Sequence, residues 1–508
     1  MNRPDTTIRE TTSSPADVDG KGGVPAEEGG GFCDPAESEL APSCSRAGRP
    51  DTLFRGAAAN ILASICSVGF AVITSIVLAR TVGPEGKGRY DLVNATIMLA
   101  TSLFGLSLES GINYWVAKGA FQPRRLMPSL AAIAALQMIA VWAAVWLFSQ
   151  TPLAKAILPV EYLSWGPAVV AAGAAAMLLW QYASAVLAGL QRFVLCAWLT
   201  VTNRFLVTVA VVLSAAVAIW MNSRDIMQWA IWAMVGSLCV TSLLIQFSAL
   251  AQTPRKTVSA GLADIFHYSA PCYVANLAQF LSYRVDVFFV AYYVGERELA
   301  LYTTAVSLSQ LLWLPSRALQ GVLFPNLTSL SDASAQAARA AKAARSLLAL
   351  LGVLGIGMAL LGPGMILLLF GQRFRGSIPA LWLLLPGIVL FCIPQALACY
   401  LGAIGKPRWN LVASLAGLVV TLILNVVLVP TIGIAGAAIT SSLSYITTAV
   451  AVLYFFSRES KCHLRDVLCV RPRELRELTA QSGHPWLVRL AGATLVEKRS
   501  CDLPHDSV

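Results

Sequence analysis

Arg204, Arg284, Arg317, Glu109 and Asp286 are charged side chains inside stretches of this chain that are otherwise fit for hydrocarbon. Placing one such residue at mid-bilayer costs about 2.5–3.5 kcal/mol on insertion scales, so a cost incurred several times implies a use. Guanidinium pairs bidentately with phosphate, and three Arg around one enclosed space suit an anionic passenger. Asp286 and Glu109 are candidates for a coupling ion, H+ or Na+. Asp286 could equally be a structural partner. At about 100° per residue, Arg284 and Asp286 stand about 160° apart on a helix and cannot pair with each other. The rival readings are snorkelling to the interface for Glu109 and Arg317, and structural ion pairs for Arg204 and Arg284.

Neutral polar residues extend the pattern. Asn60, Ser64, Ser67 and Thr74 fall within roughly 80° on the first apolar run, and Asn276, Gln279, Tyr283 and Asp286 do so on the seventh. Ser102, Gly105, Glu109 and Asn113 share a face of the second run, and Ser307, Gln310, Arg317 and Gly321 a face of the eighth. Lipid would reject such faces, which should therefore line a water-accessible cavity; the bland alternative is helix-packing glue. The candidate substrate-binding residues are Arg204, Arg284, Arg317, Asn276, Gln279, Tyr283, Gln310, Asn60, Ser64 and Ser67. No catalytic group, metal site or cofactor is expected. The four histidines lie outside the apolar centres, and the eleven cysteines form no Cys-x-x-Cys pair.

The elements that must position these residues follow from composition. Of 508 residues, 56 % are hydrophobic and only 13 % charged, half the usual share of about 25 %. A water-soluble chain of this size could not hide so much apolar surface. That excludes an ordinary soluble enzyme, a nucleic-acid binder and a disordered chain. The net charge of +10 comes from bases lying between apolar runs, as in membrane proteins.

Runs of about 20 apolar residues, enough to cross about 30 Å of hydrocarbon, recur near 56–79, 90–112, 126–148, 167–188, 194–219, 226–250, 268–293, 299–324, 347–370, 378–402, 410–430 and 434–456. The expected fold is an all-α integral membrane protein of about twelve spans. Residues 1–52 are polar, Gly- and Pro-rich, and read as a disordered tail with no signal peptide. Residues 53–250 form a first six-helix bundle, 251–265 a linker, 266–457 a second bundle and 458–508 a polar tail. With the N-terminus inside, 26 Lys and Arg fall on the cytoplasmic side and 8 outside, so both termini are expected in the cytoplasm.

The chain repeats itself. Val82-Gly83 with Tyr90 recurs as Val294-Gly295 with Tyr302, 212 residues on; Leu187–Arg192 compares with Leu401–Lys406, 214 residues on. Offset 212 also carries Ser64 to Asn276, Ser67 to Gln279 and Thr74 to Asp286, so repeat and polar stripe agree. Six spans per half make a parallel repeat, as in transporters whose halves are related by an axis along the membrane normal.

The run from Leu78 to Tyr90, the second copy from Asp286 through Val294-Gly295 to Tyr302, and the late segments Leu401–Pro407, Asn425, Pro430 and Gly433–Ala438 resemble the polysaccharide (lipid-linked oligosaccharide) flippases of the Wzx type. That family belongs to the superfamily that also holds multidrug extruders and lipid II flippases. The resemblance covers about residues 53–457; both long tails lie outside it, and the family also has members with 14 spans. It implies two pseudo-symmetric six-helix bundles around a central cavity that opens alternately to each side of the cytoplasmic membrane. The substrate implied is an undecaprenyl-pyrophosphate-linked glycan, with the Arg side chains on the pyrophosphate, the polar stripes on the sugars and the polyprenyl tail left in lipid. Implied partners are membrane lipids and the polymerase or export components of surface-polysaccharide assembly.

Two other functions compete. An ion-coupled extruder of drugs or cations would share the fold but needs an acidic cavity. A membrane enzyme of polysaccharide assembly needs positioned carboxylates or a nucleotide-sugar site. The one Asp-x-Asp, Asp17-Val-Asp19, lies in the polar tail.

Overall fold

A computed structural model describes residues 50–119, 123–151, 162–221, 226–252, 261–330, 332–462 and 467, without the side chains of 50–61, 123–125, 162–164 and 325. Most of the expected tails and of the expected linker lie outside the described residues; 50–52 and 458–460 belong to helices. Among the described residues there is no strand. The first half of the chain holds α1 (Pro50–Thr81), α2 (Gly83–Phe104), α3 (Leu108–Ala117), α4 (Pro123–Ser149), α5 (Tyr162–Gly189), α6 (Phe193–Trp220) and α7 (Ile226–Leu250). The second holds α8 (Leu262–Tyr293), α9 (Glu296–Ser309), α10 (Trp313–Thr328), α11 (Ala333–Met365), α12 (Ser377–Leu390), α13 (Cys392–Ala403) and α14 (Arg408–Ser460).

The repeat read from the sequence is a repeat of backbone geometry. Helices α1 and α8 are both 32 residues long. Each ends on the same bond, Val82 N–H to Leu78 O at 2.9 Å and Val294 N–H to Val290 O at 3.0 Å. A glycine at positive φ then turns the chain: Gly83 at +75° and Gly295 at +104°. Only glycine adopts such angles without a Cβ clash. The ends of α5 and α13 match too. Arg192 N–H bonds Leu187 O and Lys406 N–H bonds Leu401 O, both at 2.9 Å, across left-handed residues Gln191 and Gly405. These are six-to-one bonds of the kind that close a helix C-terminus.

All twelve expected spans coincide with helical chain. The 53 residues of α14 break at Ile432 and Gly433, where the backbone leaves helical angles, and so supply two spans. Among the described residues, eight helical stretches are long and apolar enough to cross a membrane, with α12 and α13 taken together and α14 counted once, or nine if α2 and α3 count as one span bent by 58°. The difference has a physical cause. Asn276, Gln279, Arg284 and Asp286 dilute the apolar run of α8, and a 3-10 turn at Gln310–Leu312 divides the next span into α9 and α10. The chain is a multi-pass membrane protein. Outward faces are greasy: Val353 and Leu360 of α11 are 70 % and 75 % exposed.

The halves meet along two seams, α2 against α9 and α3 against α8. At the first seam Arg89 Nε lies 2.5 Å from Glu296 Oε2. At the second, the Tyr114 and Tyr268 rings stack at 4.2 Å, and Trp115 Nε1 donates to Asp264 O at 3.2 Å.

Candidate functional site

Arg204 on α6, Arg284 on α8 and Arg317 on α10 line one cavity of about 420 Å³ between the halves. Ser64 and Ser67 of α1 line it as well, with Asp91 and Asn94 of α2 and Thr303 and Ser307 of α9. Among the described residues, none of the three Arg forms an ion pair. The chamber's one carboxylate, Asp91, is already engaged: Lys87 Nζ lies 2.5 Å from its Oδ2, and Thr303 Oγ1 donates to the same oxygen at 2.5 Å. The chamber thus carries an excess of three positive charges in a membrane-embedded setting, where charge is poorly screened.

Arg317 also lines two further voids. One is an apolar cleft of about 690 Å³, walled by Ile65 of α1, Leu314, Ala318 and Val322 of α10, and Leu354 of α11. The other is a side pocket of about 260 Å³ inside the second half, which takes in Gln279 and Tyr283.

Other candidates sit elsewhere. Asn276 spans the seam between the halves, its Nδ2 donating to Ser107 Oγ at 3.1 Å. Gln310 stands in the 3-10 turn and lines none of these three voids. Glu109 opens α3, beyond the break in its span, and also lines none of them. The side chain of Asn60 lies outside the described residues. Thr74, on the same sequence face as Ser64 and Ser67, serves packing: its Oγ1 is 2.9 Å from Thr208 Oγ1 of α6.

Asp286 turns away from the chamber, as its angular distance from Arg284 requires. It is buried, accepting from Tyr302 Oη, from Ser441 Oγ at 3.1 Å and from Val287 N–H at 2.8 Å. Tyr302 and Ser441 belong to α9 and α14, so this carboxylate ties three helices of the second half. Nearby along α14, the hydroxyl of Thr440 and both amide atoms of Asn425 are buried without a partner among the described residues.

Sequence reasoning missed Lys87, Asp91, Asn94 and Thr303. Lys87 precedes the apolar run that starts near residue 90, where a base is expected to face water, yet it is 1 % exposed on α2. A signal for two of them existed: Asp91 and Thr303 are 212 residues apart, the offset of the repeat.

A family model described as polysaccharide biosynthesis protein matches residues 77–379. A probable low-salt glycan biosynthesis flippase, Agl15, of Haloferax volcanii is 21 % identical over 230 residues, 45 % of this chain. The match spans about half (48 %) of that relative's length. Among solved structures, the lipid II flippase MurJ in an inward closed conformation superposes with a TM-score of 0.66 at 13 % identity, over 86 % of this chain and 93 % of that one. An inward-facing multidrug resistance MATE family transporter of the MOP superfamily gives 0.60 at 16 % identity, over 78 % and 94 %. A MOP superfamily transporter from Pyrococcus furiosus gives 0.55 at 16 % identity, over 81 % and 95 %. The fold is that of MOP transporters, and none of these named matches is an enzyme.

Proposed function

The chain belongs to the polysaccharide biosynthesis protein family, and from that premise we propose that it is a flippase moving an undecaprenyl-pyrophosphate-linked oligosaccharide across the cytoplasmic membrane, for export or assembly of a surface polysaccharide. The observation that carries this reading is the convergence of Arg204, Arg284 and Arg317, without acidic partners, on one void between the halves. Such a chamber attracts a multiply charged anion, and guanidinium is the side chain that grips pyrophosphate in two-point fashion. The apolar cleft shares Ser64, Leu314 and Arg317 with the chamber. A polyprenyl tail lying there stays in a greasy environment while its headgroup reaches the Arg cluster. An extruder of cations needs the opposite polarity.

In this reading the halves rock about their seams, exposing the chamber first to the cytoplasm and then to the far side. Both termini are cytoplasmic. Asp286 is the coupling site for H+ or Na+, because it is a buried carboxylate with hydroxyl partners on two neighbouring helices; Glu109 is the weaker candidate. Polymerase or export components of polysaccharide assembly receive the flipped product.

The test is deletion of the gene followed by analysis of lipid-linked intermediates. The expected result is accumulation of a complete glycolipid facing the cytoplasm, cleared by the native chain. Arg204→Ala, Arg284→Ala and Arg317→Ala should insert normally and fail to clear it. Normal export by all three variants, or drug hypersensitivity with no glycolipid accumulation, overturns the reading.

A further inference from the structure

The side pocket in the second half differs in chemistry from the chamber with which it shares Arg317. Among its lining residues Arg317 is the one charged side chain. Behind it the walls are aromatic rings and carboxamides. Tyr283 lies 5.6 Å, centroid to centroid, from both Trp313 and Phe391, and Trp313 lies 5.5 Å from Phe391. Trp313 and Phe391 are 3 % and 4 % exposed, so these rings are held by packing.

The carboxamides are oriented by bonds that leave acceptors over. Asn410 Nδ2 donates to Ala398 O at 3.1 Å, which fixes its amide and leaves Oδ1 buried without a partner among the described residues. Gln395 Oε1 and Trp313 Nε1 are buried and unpartnered in the same sense. Gln320 Nε2 is used on the backbone carbonyl of Gln395 at 3.0 Å. Carboxamides of Gln279 and Gln320 and hydroxyls of Ser414 and Thr448 complete the lining, so the void offers polar groups beside its aromatic walls. The guest is not an anion, because only the mouth is cationic. It is not purely apolar, because the side chains of Gln279, Gln320, Gln395 and Asn410 line the void. A pyranose has this profile: C–H faces that lie against aromatic rings and an equatorial rim of hydroxyls that both donate and accept. A void of about 260 Å³ falls near the lower end of small-molecule sites, about 300 Å³, which suits a group of one-sugar size.

We infer that this pocket, built by Trp313, Gln395 and Asn410 with Tyr283, Gln320 and Gln279, is a sugar-binding subsite that holds the pyrophosphate-proximal part of the glycan while Arg317 holds the phosphate at its mouth. The inference rests on the flippase reading and adds to it where the glycan is recognised. It makes the second half the sugar-selective half, and it gives Arg317 the role of hinge between the anionic and neutral parts of one ligand.

The test uses the purified full chain in lipid nanodiscs and two probes: sugar-free undecaprenyl pyrophosphate, and the pyrophosphate-linked glycolipid pool extracted from the producing cells. The native chain should bind the glycolipid at least about tenfold more tightly than the bare lipid. Gln395→Met and Trp313→Phe should each erase most of that preference while binding the bare lipid as before, which also reports that they are folded. Equal binding of the two probes by the native chain, or variants that keep the preference, overturns the subsite and leaves the pyrophosphate chamber standing. Variants that lose both probes alike make these residues structural and also overturn it. Binding of neither probe by the native chain defeats the pyrophosphate reading, and the subsite falls with it.

Discussion

Asp91 and Thr303 occupy the same position in the two halves, 212 residues apart, and they touch: Thr303 Oγ1 donates to Asp91 Oδ2 at 2.5 Å. Two residues related by an internal repeat can meet only where the axis relating the halves passes. The contact therefore marks that axis on the chamber wall. Lys87 sits on it as well, with Nζ 2.5 Å from Asp91 and 3.3 Å from Thr303. Symmetry is broken here by a charge: one half contributes a carboxylate and its lysine, the other a hydroxyl.

Removing one member of that pair should cost more than removing both. Lys87 is buried, and the Asp91 side chain is 21 % exposed, so the pair is only partly screened by water. Lys87→Met leaves the carboxylate without its counter-charge and should lower stability by about 2–3 kcal/mol. The double variant Lys87→Met, Asp91→Asn should recover much of that loss, because no unpaired charge remains. Thermal unfolding of the detergent-solubilised proteins measures both; additive losses would refute the coupling.

The seams depend on two glycines at opposite ends of the chamber. A Cβ on Gly88 would stand 1.8 Å from Glu296 O, and one on Gly111 would stand 2.5 Å from both Ile265 O and Ser269 Oγ. Backbone cannot yield as a side-chain tip can, so Gly88→Ala must part α2 from α9, and Gly111→Ala must part α3 from α8. A cysteine replacing Asn94 reports which end has opened. Each glycine variant should raise its labelling by a membrane-impermeant maleimide several-fold, Gly88→Ala from one face of the membrane and Gly111→Ala from the other. Increases from the same face in both would mean the seams are not opposed gates.

Asp286→Asn separates packing from charge. The amide keeps the size of the carboxylate and an oxygen for Tyr302 Oη. It loses the negative charge that a proton or sodium ion would balance. The variant should fold, bind the bare pyrophosphate lipid and exchange it downhill, yet lose any acceleration by an imposed H+ or Na+ gradient in proteoliposomes. Retained gradient dependence would move the coupling site elsewhere.

The sequence made the all-helical membrane fold and the repeated turns legible because both are written in short-range chemistry: apolar runs of fixed length, and glycine at turns such as Gly83 and Gly295. Three Arg around one void were also within reach, since helix periodicity puts Arg284 and Asp286 on opposite faces. What periodicity does not say is which polar face meets which. Thr74 shares an angular stripe with Ser67, but α6 closes over it through Thr208. Asn276 shares one with Gln279, but the break after α2 brings Ser107 to it. Lys87 and Asp91 lay near the expected end of a span, where charges usually meet water. Only the approach of α9 buries them.

The start of α11 offers a pH test at a site outside the membrane-spanning segments. Asp332 caps the helix, accepting from Ser334 Oγ at 2.7 Å, Ser334 N–H at 3.0 Å and Ala335 N–H at 3.2 Å. The hydrogen bonds from Ser334, with that from Ala335, hold its carboxyl below the usual range, against a small opposing effect of desolvation. A depressed carboxylate stabilises the folded form above its unfolded value, about 3.9, and that contribution is lost as pH falls through the lower folded value. Amide exchange at Ser334 and Ala335 should therefore be protected at neutral pH and lose protection only below about pH 3.9. Asn also accepts from the N2 and N3 amides, so Asp332→Asn should keep the cap and flatten the pH dependence, whereas Asp332→Ala should fray the first turn at every pH. Protection relative to the intrinsic exchange rate that does not change with pH in the native chain would show that the carboxylate is not what holds this end of the helix.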